Sequence, residues 1–224
     1  MDMVPEQFIY ISSLSISGPV HEMDYAPICE NDSPMPNTAY GISKLKSEHY
    51  LRSIQNFPVL ILRPTGVYGP RKRDYLLLVK SIKNHVDFTA GIRRQNITFV
   101  YIKDLVNVVY LAVRYGVKHR AYLVSDGNVY SSHTFSVLVR KELGNPWVIQ
   151  IKCPLFLLKT ISLLAEFIAG CQGKVGTLNA DKYKIMKQRN WKCDISTLVE
   201  ELGYHPEYTL EEGVVAWHKE EGWL

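Results

Sequence analysis

Apolar, β-branched runs alternate with helix-period stretches along most of this chain, and that alternation restricts its fold more than any other feature. Residues 8–13 (FIYISS) form an aromatic and β-branched run ending in small hydroxyl residues, and read as a buried strand. Residues 58–63 (PVLILR) read as a second buried strand, 96–102 (NITFVYI) as a third, 122–125 as a short fourth and 147–152 as an apolar fifth. Between them lie helices. One starts near Asn37 or Thr38 and runs to about Gln55, with Leu45, Leu51 and Ile54 on or near its buried side, and Pro58 prevents its continuation. Asp74 caps a second, in which Leu78, Val79 and Ile82 share a face. Asp104 opens a third, whose Leu105, Val108, Val109, Ala112 and Val113 face inward until Gly116 ends it. Residues 135–143 make a fourth, stopped by Gly144. This order predicts an α/β protein with a parallel sheet and right-handed crossovers.

The tail is punctuated in the same way. Residues 191–195 read as extended, Ser196 caps a helix through Leu202, and Gly203 closes it. Thr209 and Glu212 fit a capping box for a last helix that docks Leu210, Val214 and Trp217. Residues 19–36, rich in Pro, Asp, Asn and Glu, read as a loop over the mouth of a site.

Tyr40 and Lys44, four apart in YGISK, share one face of their helix. A cation one turn from a phenol favours the phenolate, which is what a general acid/base needs. Tyrosine and lysine often stand four apart on exposed helices for no chemical reason, so context decides. The strand at 8–13 delivers Ser13 to its carboxyl end, where open α/β sheets bind ligands. The strand at 58–63 breaks there into the Pro/Gly loop 64–70 (PTGVYGP).

Three motifs in this order, SSLSISG, YGISK with Glu48 following, and LRPTGVYGPR, resemble the extended short-chain dehydrogenase/reductase superfamily, NAD-dependent epimerase/dehydratase group. FVYIKDL and the closing LGYHPEYTLEEG resemble further signatures of that family. The resemblance implies an incomplete Rossmann-like, doubly wound parallel sheet with a small C-terminal substrate-binding lobe. Residues 1–125 would form the carboxyl-terminal part of the dinucleotide-binding domain, and 126–224 mostly the lobe, interleaved with it. It also implies roles. Tyr40 is the proton-transferring residue, Ser13, five before Gly18, polarises the substrate oxygen, and Lys44 also holds the nicotinamide ribose. Pro64 and Val67 touch the nicotinamide of NAD or NADP.

No strand–GxxGxxG–helix unit precedes the serine motif in the sequence, although a dinucleotide fold takes the cofactor pyrophosphate on such a turn. The chain therefore resembles the carboxyl-terminal portion of the family, and is expected to bind cofactor poorly and to be inactive alone. Gly66 replaces an asparagine of many sugar-nucleotide relatives, and Ile97 and Thr98 stand where some carry a diphosphate-gripping arginine. The implied substrate is a small molecule, a sugar nucleotide or related hydroxyl or carbonyl compound. The alternatives are an apolar substrate, as in dihydroflavonol reductases and 3β-hydroxysteroid dehydrogenases, and a non-catalytic scaffold that has lost its cofactor half.

Composition narrows the partners. A net charge of +4 over 224 residues, with one tight basic triplet at 71–73, is no nucleic-acid signature. That triplet reads as a solvated loop, with substrate phosphate contact second. Cys29, Cys153, Cys171 and Cys193 lie far apart without a CxxC pair, so reduced cytoplasmic thiols are expected, with no metal site. No signal peptide is visible, and the apolar stretch 154–170, interrupted by Lys159 and Glu166, falls short of the ~20 residues of a membrane span; it reads as a lid or interface helix. An edge left unpaired near residues 8–13 would promote self-association, giving a homo-oligomer.

Overall fold

The computed structural model describes residues 5–91, 93–160, 162 and 180–223. In chain order its elements are β1 (Phe8–Ile11), α1 (Ala39–Ser53), β2 (Val59–Pro64), β3 (Gly66–Tyr68), α2 (Arg73–Lys83), β4 (Val86–Ala90), β5 (Asn96–Ile97), β6 (Phe99–Tyr101) and α3 (Ile102–Tyr115). There follow β7 (Arg120–Val124), β8 (Tyr130–Ser131), α4 (Thr134–Glu142), β9 (Ile149–Cys153), α5 (Ala180–Lys187), α6 (Ser196–Leu202) and α7 (Leu210–Glu221).

The main sheet is parallel, with order β1-β2-β7. Its central strand β2 is buried at every residue. Leu60 and Leu62 pack in one core with Val108 and Ala112 of α3 and Leu198 and Leu202 of α6. At Thr65 the chain changes partner, because the strand leaves β7 after the Pro64–Val124 register and continues as β3 beside β6. A separate small parallel pair sets β4 from the first half of the chain against β9 from the second.

A second core is aromatic. Tyr68, Phe99, Tyr101, Phe135 and Trp217 gather beneath α7. That helix comes so close that a Cβ on Gly213 would stand 1.9 Å from the Tyr68 hydroxyl oxygen. The Thr209–Glu212 capping box forms as its spacing predicts, and Leu210, Val214 and Trp217 are fully buried.

Several local expectations are corrected by what packs nearby. Among the described strands β1 is at the edge rather than buried, with Phe8 38% and Ile11 37% exposed. The buried positions of α1 are Gly41 and Glu48, while Leu45 and Leu51 are half-buried and Ile54 is exposed. Helix α2 starts from Lys72, and Asp74 lies in its first turn. Asp104 likewise lies one turn into α3, where its carboxylate accepts the Glu207 and Tyr208 N–H groups at 3.0 and 3.2 Å. Val113 of α3 is exposed. Asp194 supplies the oxygen that caps α6 through the Ser196 N–H. The 96–102 run is two strands, because Thr98 between them turns its hydroxyl to the Trp191 carbonyl at 2.7 Å. Of the apolar stretch 154–170, residues 155–160 are helical with Leu158 buried; apart from Ser162, residues 161–170 lie outside the described residues, as does Cys171. No helix among the described residues is long and apolar enough to cross a membrane.

At the end of β7, Asp126 accepts hydrogen bonds from the Tyr130 hydroxyl at 2.6 Å and the Asn128 N–H at 3.0 Å, and Tyr130 in turn accepts from the Leu210 N–H. Burial outweighs these bonds and raises the carboxyl from 3.8 to about 6. The fold therefore holds this proton more tightly than the unfolded chain, so its stabilisation is complete below about pH 4 and is lost as pH rises through about 6. A displacement of that size is worth on the order of 3 kcal/mol. Asp126→Asn should flatten the stability profile over this window in urea unfolding curves. Identical slopes in the two proteins would refute the assignment.

Candidate active site

Strand β1 ends at Ile11, and the two serines after it do different work. Ser12 turns into the protein and donates to Glu48 Oε1 at 2.5 Å. Ser13 caps the following 3₁₀ turn, its Oγ accepting the Ser15 N–H at 3.2 Å and donating to Ser15 Oγ at 3.1 Å. Glu48 is 1% exposed and accepts two hydrogen bonds from Arg63, Nη2 to Oε2 at 2.7 Å and Nε to Oε1 at 3.1 Å. This network binds the end of β1, the middle of α1 and β2 into one unit.

Helix α1 begins where Thr38 Oγ1 accepts the Gly41 N–H at 3.0 Å. Gly41 lets the helix lie on the 3₁₀ turn, since a Cβ there would stand 2.5 Å from the Ser15 carbonyl oxygen. The glycine inside YGISK is thus what draws the helix up to the serines. Lys44 donates from Nζ to the Ile11 carbonyl at 2.8 Å. Its ammonium lies 4.9 Å from the Tyr10 ring centroid and 5.8 Å from that of Tyr40, within cation–π range of both. Tyr40 is 49% exposed.

A cavity of about 500 Å³ opens at the carboxyl ends of β1 and β2. Of the residues singled out in the sequence for the site, Ser13 and Pro64 line it, as do Gly66, Ile97 and Thr98. Tyr40 and Lys44 stand on the outer flank of the same strand end, and Val67 is half-buried against the main core. Sequence reasoning missed the far wall, formed by Asp74 and Tyr75 of α2, Lys182, Ile185 and Met186 of α5, and Trp191. No local pattern marks these residues, which converge only through long-range hydrogen bonds such as Gln95 Nε2 to the Met186 and Gln188 carbonyls. The loop 19–36 is pinned by the same segment, with Asn190 Nδ2 donating to the Ala26 carbonyl and Gln188 Nε2 to that of Gly18.

Residues 2–125 match the model of the NAD dependent epimerase/dehydratase family. UDP-glucose 4-epimerase of Vibrio cholerae is 28% identical over 220 residues, covering 95% of this chain and 62% of that protein. dTDP-4-dehydro-6-deoxyglucose reductase of Escherichia coli is 25% identical over 222 residues, covering 93% of this chain and 59% of that protein. Among solved structures, UDP-glucuronic acid 4-epimerase from Bacillus cereus with UDP-glucuronic acid and NAD superposes with a TM-score of 0.71 at 22% identity, over 95% of this chain and 60% of that one. dTDP-glucose 4,6-dehydratase from Bacillus anthracis with NAD gives 0.72 at 16% identity, over 97% and 63%. At these identities the structural likenesses show the fold. The chain spans about 60% of the length of the curated relatives it matches.

Proposed function

The chain belongs to the NAD dependent epimerase/dehydratase family, and on that premise we propose that it carries the catalytic and substrate portion of an NAD(P)-dependent oxidoreductase or epimerase. The observation that carries the reading is Lys44, whose ammonium joins the end of β1, two residues before Ser13, to the face of Tyr40. Tyr40 gives a proton to the substrate oxygen or takes one from it. Ser13 hydrogen-bonds that oxygen from the cavity wall. Lys44 spends one hydrogen on the Ile11 carbonyl, and an ammonium carries three; the others serve the ribose of NAD or NADP. Pro64 and Val67 meet the nicotinamide through backbone or apolar contact. The cofactor, when bound, takes up or returns a hydride. The open flank around the half-exposed Tyr40 fits the nicotinamide end of such a cofactor.

The relatives' names specify UDP- and dTDP-sugars, which makes a sugar nucleotide, or a hydroxyl or carbonyl compound handled in the same way, the substrate class they suggest. The exposed edge of β1 supports self-association as a homo-oligomer.

Ser13→Ala in the full-length protein is expected to lower kcat by about 10²–10³-fold, the usual loss for one donor to a developing oxyanion. Ser13→Thr, which keeps both the hydroxyl and the turn cap, should recover most of it. Nicotinamide absorbance reads the outcome, and unchanged turnover in Ser13→Ala would remove Ser13 from the mechanism.

A further inference from the structure

We propose that the outer face of the β4–β9 pair, with the helical turn that follows it, docks on an anionic membrane surface. In the parallel register Val86 stands beside Ile149 and Phe88 beside Ile151, so these four side chains share one face of the pair. The other face is turned inward, where Asp87 accepts from Ser136 Oγ of α4 at 3.3 Å. On the outer face Ile149 is 57% and Ile151 44% exposed, and Phe88 is exposed as well. Two residues before Ile149, Trp147 lies flat on the His85 ring, 4.3 Å between centroids with 6° between planes, and is still 64% exposed. That stacking fixes a tryptophan at the surface. Beyond Cys153 the chain enters the helical residues 155–160, in which Phe156 is 75% exposed and Leu157 is exposed too. Leu155 ties this turn to the end of β4, since a Cβ on Gly91 would meet it at 3.4 Å. Large apolar side chains gathered in this way mark a docking site.

Charge selects the occupant. The segments that build the face, 83–94 and 144–160, contain Lys83, Arg93, Arg94, Lys152 and Lys159 against a single acid, Asp87. That acid is 3% exposed and belongs to the inward face. Arg93, Arg94, Lys152 and Lys159 are all exposed, and Lys159, three residues after Phe156, shares its side of the helical turn. Tryptophan, phenylalanine and isoleucine rimmed by lysine and arginine match the boundary of an anionic bilayer, where rings and aliphatic chains enter the headgroup layer and cations meet its negative potential. A second copy of the chain fits less well, because a two-fold contact through this face would set the same basic rim against itself. No helix among the described residues is long and apolar enough to cross a membrane, so the contact is with the surface. Phe88 also lines the cavity beside Ser13, and docking therefore brings the rim of that cavity to the membrane.

The test uses the whole chain with vesicles of phosphatidylcholine alone, or of phosphatidylcholine and phosphatidylglycerol in equal parts. Flotation should carry the protein with the mixed vesicles and not with the neutral ones, and added salt should release it. Tryptophan emission should move to the blue on binding, and Trp147→Phe should remove most of that movement while keeping flotation. Ile149→Glu and Phe156→Glu, at positions exposed enough to accept a charge, should each weaken binding about 10-fold or more. The pair Lys152→Glu, Lys159→Glu should weaken it to a similar extent, about 10-fold or more. Thermal midpoints check that each variant is folded, and either apolar-site variant serves if the other is not. Absence of flotation with mixed vesicles, equal flotation with both kinds, or binding unchanged in the folded variants would overturn the proposal. Sedimentation without vesicles adds a further arm: self-association that Ile149→Glu and Phe156→Glu abolish would give the face to a second copy and overturn it as well. None of these readouts involves turnover, so the roles proposed for Tyr40 and Ser13 stand or fall separately.

Discussion

Tyr40→Phe should lower kcat by about 10²–10⁴-fold in the full-length protein, the range associated with a positioned proton donor or acceptor, while leaving the unfolding midpoint within experimental scatter. The separation of the two effects follows from where the side chain stands. Tyr40 is about half exposed, and the interaction recorded for its ring is the Lys44 ammonium over its face, which phenylalanine preserves. Exposed substitutions of this kind change stability by roughly 0.5 kcal/mol or less. A loss of turnover without a loss of stability can then be assigned to the missing hydroxyl. Stopped-flow measurement of nicotinamide absorbance, together with thermal unfolding, checks both halves. Retained turnover in Tyr40→Phe would sink the catalytic assignment, and a large fall in midpoint would mean that the ring is structural.

Glu48→Ala should cost about 3–5 kcal/mol of stability, the usual penalty for removing one member of a buried ion pair. Glu48 and Arg63 side chains are 1% and 8% exposed. The substitution would leave the guanidinium with a Glu30 carbonyl at 3.5 Å as its remaining recorded contact, and the Ser12 hydroxyl without its acceptor. A domain with a total stability of about 5–15 kcal/mol feels such a loss strongly. The double variant Glu48→Met, Arg63→Met should recover most of it, because two apolar side chains leave no unpaired charge. Urea titrations of the three proteins decide the matter. A cost below about 1 kcal/mol for Glu48→Ala would show that water reaches the pair and that it does not bind β1, α1 and β2 together.

The sequence was most readable where structure is local. The run at 58–63 lies in a strand buried throughout, Gly116 and Gly203 end their helices at φ of 60°, and the Thr209–Glu212 box forms. Each of these depends on residues within a few positions of one another. Expectations failed where a distant neighbour decides. Phe8 and Ile11 have strand chemistry, but β1 has a partner on one side among the described strands. Leu45 and Ile54 keep helical period, yet the face of α1 that turns inward is the one that brings Glu48 to Arg63 and Gly41 to Ser15. Asp74 and Asp104 look like caps by spacing, and each has a long-range partner instead. In the candidate site, the approach of Lys44 to the end of β1 was legible because strand end and helix are close in sequence. The far wall of the cavity was not, because its residues come from α2, β4, β6, α4, α5 and the segment bearing Trp191 and carry no shared spacing.

The pairing of Thr98 with Trp191 spans 93 residues, and that of Gln95 with Gln188 the same number. Contacts so far apart in the chain must close long loops before they return any stabilisation, which makes them slow relative to the local helices. On a ribosome, β1, α1 and β2 can be assembled while Trp191 has yet to be made. The serine–tyrosine–lysine corner is therefore an early product of folding and the wall facing it a late one, so the cavity, unlike the corner, exists only in a chain that has been synthesised through Trp191.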